Sequence, residues 1–231
     1  MELFWPSVLL VVLIVVLFLA ERWNAEVIDR IEESIIAFLL AAITIISFSQ
    51  VVARYGFHTG WSGALELTRI LFAWLILFGM SYGVKKGMHL GVDALIRTFP
   101  KPLFHAAAIF GAVCCLLYAL MLLHAGWLAF FGGKEVTSYR QAGALGYWTL
   151  MFNTGIGLDD LRYPVWMQET FGLQERVQRW VAYLMLPIGL GLLAFRSIQA
   201  IVAIARGERE LIIAGHEAED LVAENKDLLK D

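Results

Sequence analysis

Glu66 and Arg69 are the residues of this 231-residue chain whose types and spacing come nearest to chemistry. They stand three apart at the mouth of an uncharged run, Ile70 to Val84, which Lys85 and Lys86 close. On a helix, that spacing puts both side chains on one face, close enough to pair. Ionisable groups inside a membrane span mark ion or proton sites by default. Near the end of a span, however, a long side chain reaches the polar interface at small cost. The pair therefore reads as a structural anchor or subunit contact, with Arg54 a second candidate partner for Glu66. His89 and Asp93 are four apart and suit a local cap or interfacial contact if residues 86–94 are helical. His58 and His124 fall toward one side of the apolar runs, and His89 and His105 toward the other. Two pairs at two depths are what a di-haem membrane cytochrome needs. These histidines stand at span ends or beside turns, which favours ordinary interfacial roles and leaves a haem-bearing anchor subunit as the alternative.

No phosphate loop, metal motif or nucleophile–base pair is present, so no catalytic, cofactor-binding or metal residue is expected. Cys114 and Cys115 are adjacent within an apolar run and have no ligand spacing. The spans also lack the paired, interrupted half-helices that surround a transported solute.

The elements that must position these residues follow from composition. The chain is 59% hydrophobic and 17% charged, against about 45–50% and 25% in soluble domains, and its mean hydropathy is +0.68. This is an integral membrane protein, and a net charge of −3 gives no reason to expect nucleic acid. The expected fold is all-α, a membrane bundle of four core transmembrane helices with an N-terminal hydrophobic helix and an amphipathic C-terminal tail. Spans are expected at about 3–20, 34–53, 65–84, 103–131 and 180–205, the first either crossing the bilayer or lying at its surface. The 65–84 helix is about 30 Å long, matching the hydrocarbon core. Trp61 begins it at the interface, and Gly79, Gly83 and Gly87 form a strip that would let a neighbouring helix approach closely. The uncharged stretch 103–131 is about 43 Å as a helix, so it must tilt or emerge. Pro187, Gly189 and Gly191 should kink the last span or thin its packing face.

Four Lys/Arg between positions 85 and 101, against one Asp, place that loop in the cytoplasm. The 132–179 segment is then periplasmic, with local helix and an amphipathic stretch near RYPVWMQETFGLQERVQRW at the membrane surface. The membrane domain covers residues 1–206, and the acidic tail, 207–231, is cytoplasmic.

The order Arg54, Tyr55, Phe57, Trp61, Glu66, Arg69, Phe72, Trp74, Gly79, Lys86, Gly87, His89, Gly91, Val92, Asp93 and Pro100 resembles the DctQ family. These are the small membrane subunits of tripartite ATP-independent periplasmic (TRAP) transporters. Pro164 to Trp166, Tyr183, Pro187, Gly189 and Arg196 look like the family's final segment, and the likeness covers about residues 30–205. It implies a four-helix scaffold in the bacterial inner membrane, bound by lipid and by a large DctM-type subunit holding the sodium and substrate sites. A periplasmic DctP-type protein would deliver an organic anion, a C4-dicarboxylate above all. On this reading Arg54, Trp61, Glu66, Arg69, Trp74, Gly79, Gly83, Gly87, His89 and Asp93 are structural or subunit-interface residues. The 3–20 helix and the long 132–179 segment depart from the family pattern and suggest extra contacts with lipid or binding protein.

Overall fold

A computed structural model describes residues 4–86, 100–125 and 143–207. In chain order the elements are α1 (Phe4–Trp23), α2 (Ala25–Gly56), α3 (Ala64–Lys86), α4 (Lys101–Leu123), α5 (Gly143–Thr154), β1 (Gly157–Arg162), α6 (Val165–Phe171), β2 (Arg176–Gln178), α7 (Arg179–Tyr183) and α8 (Met185–Ala205). The protein is an all-α membrane bundle with one small hairpin. Four helical stretches are long and apolar enough to cross a membrane: Ala25–Gly56, Ala64–Lys86, Pro102–Leu123 and Arg179–Ala205.

The polar patch after α1 is not a connector. Asn24 interrupts the helix, and its side chain accepts a hydrogen bond from the Val27 amide at 3.3 Å, the geometry of an N-cap. Helix α2 therefore starts nine residues before the expected Ser34, carrying Glu26, Asp29, Arg30, Glu32 and Glu33. At its far end His58 adopts φ 51°, which folds the Thr59 amide back onto the Ala53 carbonyl at 3.1 Å. The expected 103–131 helix is corrected at its end. Helix α4 stops at Leu123 and is about 35 Å long, so the excess length that demanded tilt is absent.

The described part of the 132–179 segment holds the local helix expected of it, in α5 and α6, and adds a hairpin. Helix α5 buries Ala144, Leu145, Gly146, Trp148, Thr149 and Met151, half of its twelve residues, so it is a core element. The amphipathic stretch 162–180 holds α6 and β2, and β2 pairs antiparallel with β1 in a hairpin that encloses α6. Its apolar residues Leu158, Leu161 and Val177 bury against Leu67, Ile70, Tyr163 and Ala182.

The chain divides into two compact units. In the first, Met1–Gly79 with Leu120–Leu192, the core joins Leu10, Leu123, Ala144, Leu145 and Leu190, with Ile14, Leu77 and Leu186 packed on it. Gly189 and Gly191 set its spacing. A methyl at Gly189 would lie 2.6 Å from Leu77 Cβ, and one at Gly191 would lie 2.7 Å from a Leu10 methyl. The second unit, Met80–Ala119 with Leu193–Asp231, packs Val84, Ala119, Leu193, Ala194 and Ala200 with Met80 and Leu116. Three of these five buried residues are alanines, which suits close helix approach in lipid.

These contacts rank three glycine substitutions. Gly189→Ala presses a methyl on Leu77 Cβ, which cannot move without the backbone, and should cost about 1–3 kcal/mol. Gly191→Ala meets a mobile Leu10 methyl and should cost less. Gly111→Ala, whose added methyl meets nothing within 4 Å, should be neutral or stabilise by up to about 1 kcal/mol. Thermal unfolding of detergent-purified variants measures this order.

Candidate subunit interface

Glu66 lies in the first turn of α3, but its partner is not Arg69. One carboxylate oxygen accepts the Asp159 amide at 3.2 Å, and the other accepts Asp160 and Leu161 at 2.9 and 2.7 Å. The strand supplies these donors because its register shifts. Gly157 faces Gln178 and Arg162 faces Arg176, so five steps along β1 oppose two along β2. The extra residues bow out of the ladder as in a bulge, and three successive amides turn to one acceptor. Consecutive N–H groups of this kind form an anion-binding concavity; here the anion is the chain's own carboxylate.

The contact is reinforced on both sides. Gln50 of α2 clasps the Trp61 backbone, its amide nitrogen donating to the carbonyl at 3.1 Å and its oxygen accepting the N–H at 3.2 Å. Beside it, a methyl at Gly63 would stand 3.2 Å from both the Asp160 carbonyl oxygen and Leu161 Cα, so the turn rests directly on the strand backbone. Arg179 holds Asp159 through both carboxylate oxygens at 3.0 and 3.2 Å, and Arg162 pairs with Glu175. A shallow groove of about 480 Å³ follows this corner, walled by Ile45, Ser49, Gln50, Thr59 and Trp61 among others.

Two indoles fix the start of the last span. Pro187 has no N–H to continue the ladder, and the helix is interrupted at Leu184. Trp74 donates to the Ala182 carbonyl and Trp148 to the Trp180 carbonyl, both at 3.0 Å. Around the second of these bonds Trp148 stacks on Phe152, and Trp180 meets both rings edge-on.

The expected site residues therefore separate. Glu66, Trp61 and Trp74 meet the hairpin-to-α8 segment or the turn that supports it. Arg54 and Arg69 are exposed, and neither is paired with Glu66. The expected Glu66–Arg69 pair is thus corrected: three backbone donors occupy both carboxylate oxygens. A methyl at Gly79 would meet nothing within 4 Å, whereas Gly83 is buried, so one strip has two environments. Gly87, His89 and Asp93 lie outside the described residues. Arg196, read above as part of a family segment, is buried at 3% exposure and donates to Gln199 at 2.8 Å. Gln50, Asp159 and Arg179 escaped the sequence reading; the polar break that Gln50 makes in an apolar run was the available signal. Among the described residues, no three His, Cys, Asp or Glu side chains gather as metal ligands.

Comparison with known proteins decides what kind of chain carries this corner. The family model described as "Tripartite ATP-independent periplasmic transporters, DctQ component" matches residues 43–207. The chain belongs to the DctQ family. It is 35% identical over 201 residues to the C4-dicarboxylate TRAP transporter small permease protein DctQ of Vibrio cholerae, covering 83% of this chain and 78% of that one. Its identity to the Pseudomonas aeruginosa protein of the same name is 30% over 223 residues, covering 85% and 92%. A putative TRAP transporter small permease protein of Haemophilus influenzae matches at 31% over 114 residues, 47% of this chain and 68% of that protein. This DctQ chain is a TRAP transporter component of the bacterial inner membrane and not an enzyme. The match starts within α2 and runs through the end of α8, so it contains the whole Glu66–hairpin contact.

Removing the Glu66 charge should loosen the hairpin. Glu66→Gln should lower stability by about 1–3 kcal/mol, the scale of hydrogen bonds to a charged acceptor. Because Arg69 is not the partner, adding Arg69→Gln should not recover the loss. A double-mutant cycle on thermal unfolding of the purified chain checks both expectations.

Proposed function

We propose that this chain anchors and stabilises the large DctM-type subunit of a sodium-coupled importer. A periplasmic DctP-type protein delivers the organic anion, a C4-dicarboxylate above all. The observation that carries the scaffold reading is the exposure of α2. Only 6% of its apolar window is buried, against 61% for the last span. Phe38, Ile45 and Phe48 are each more than 60% exposed. A helix this apolar and this little covered by its own chain belongs against lipid or another subunit. The C4-dicarboxylate assignment draws on the names of the Vibrio and Pseudomonas relatives. The sodium and substrate sites are assigned to the large subunit on the resemblance to the DctQ family alone.

On this reading Arg54, Trp61, Glu66, Arg69, Trp74, Gly79, Gly83, Gly87, His89 and Asp93 serve structure and subunit contact. The hairpin faces the periplasm, and the Lys85–Lys101 loop faces the cytoplasm. Arg162, Arg176 and Arg179 count against that orientation, and the denser cluster of Lys85, Lys86, Arg97 and Lys101 outweighs them. Among periplasmic elements the hairpin is the contact for the binding protein, with Val165, Trp166 and Phe171 exposed on α6. The haem-anchor alternative is not favoured by a family of transporter components.

Proteoliposomes provide the test. The chain alone should give no sodium-dependent uptake of succinate or a related diacid. With its large subunit and binding protein it should support uptake driven by an inward sodium gradient without ATP. Flux through vesicles holding this chain alone would defeat the proposal, as would a large subunit fully active without it.

A further inference from the structure

We propose that a stripe of α3, formed by the exposed Leu65, Arg69, Phe72 and Ile76 and the half-buried Gly79, seats one transmembrane helix of the large subunit. That helix brings a carboxylate to Arg69 and a bulky apolar side chain to Gly79. The inference deepens the scaffold reading and rests on it.

The stripe has a regular period. Its members are spaced 4, 3, 4 and 3 residues apart, the repeat of a helix seam packed at about +20° in a left-handed crossing. Leu65, Phe72 and Ile76 are 60%, 53% and 45% exposed. All five lie in the first compact unit.

Two features separate this stripe from a face that merely meets lipid. Arg69 is exposed, and among the described residues it has no acceptor, because the carboxylate three residues away is bound to the hairpin amides. Arg69 stands in the second turn of α3, where its long side chain reaches the interface at small cost, and a carboxylate on a neighbouring helix can meet it there in a short, bidentate contact. Gly79 lies ten residues further along, about 15 Å, and its missing side chain leaves open space. The packing glycines of this unit behave otherwise: Leu77 and Leu10 occupy the space beside Gly189 and Gly191. An anionic lipid headgroup would also satisfy Arg69. Fluid acyl chains, however, conform to any apolar surface and have no need of a recess in register with the charge. A helix with an acidic residue near one end and a large residue ten positions on uses both features.

The test is association with the large subunit, co-expressed and purified in detergent, measured by size exclusion and by native mass spectrometry. Arg69→Ala should weaken the complex about tenfold, the scale of one charge-assisted hydrogen bond. Arg69→Glu should weaken it further, and Arg69→Lys should stay near wild type. Arg69→Glu should be rescued by reversing one acidic residue of the partner helix. Gly79→Leu should also weaken association about tenfold while leaving thermal unfolding of the isolated small subunit unchanged. Gly111→Leu, the same change at another open glycine, should leave the complex intact. Normal association of both Arg69→Ala and Gly79→Leu would overturn the stripe and leave the scaffold reading standing. Equal loss from Gly111→Leu would also overturn it. So would loss of bound anionic phospholipid from Arg69→Ala without weakening of the complex, which would assign Arg69 to lipid. Failure of the wild-type chain to co-purify with the large subunit would remove the scaffold reading itself.

Discussion

One ionised side chain ties a membrane helix to a piece of irregular backbone. The Glu66 carboxylate receives three successive amides of β1, and much of the first unit depends on that contact. Amides displaced from a strand ladder need acceptors, since an unpaired donor away from water is expensive. A carboxylate has two oxygens and several lone pairs, so one residue can satisfy all three. The contact fixes the hairpin to the start of α3. Gln50 fixes the same start to α2 by binding both polar groups of Trp61.

The last span poses a related problem, solved by different donors. The helix breaks at Leu184, one turn before Pro187, and the indoles of Trp74 and Trp148 donate to the Ala182 and Trp180 carbonyls of the short helix before the break. Beyond the break, Gly189 and Gly191 admit Leu77 and Leu10 to the backbone. Proline and glycine would weaken an isolated helix. Here they permit a contact distance that larger residues would prevent.

Burial is uneven in a way that suits a subunit. The last span is largely covered within the chain, whereas α2 is almost bare. Arg69 and Gly79 lie on exposed or open parts of α3. In water such apolar exposure would be a liability. In a bilayer its meaning depends on what the neighbouring surface is, and polar or shape-specific features carry that information.

The sequence by itself determined the class, the family resemblance and the helices with long apolar runs, because an uninterrupted run of about twenty apolar residues has few alternatives in a bilayer. It also marked Pro187, Gly189 and Gly191 as the place where the last span departs from a plain helix. Tertiary structure alone decided the partner of Glu66. Helical spacing favoured Arg69, but the actual donors lie more than ninety residues away, on a strand whose register shift no local pattern reveals. It likewise buried half of α5 and paired β1 with β2, since burial of Leu158, Leu161 and Val177 against Leu67 and Ile70 is a long-range choice. The glycine strip shows the same limit. Gly79 and Gly83 are alike in sequence, yet one is open and the other buried. Four residues along a 3.6-residue helix turn the chain only slightly out of line, so what each glycine faces depends on the helices packed beside it.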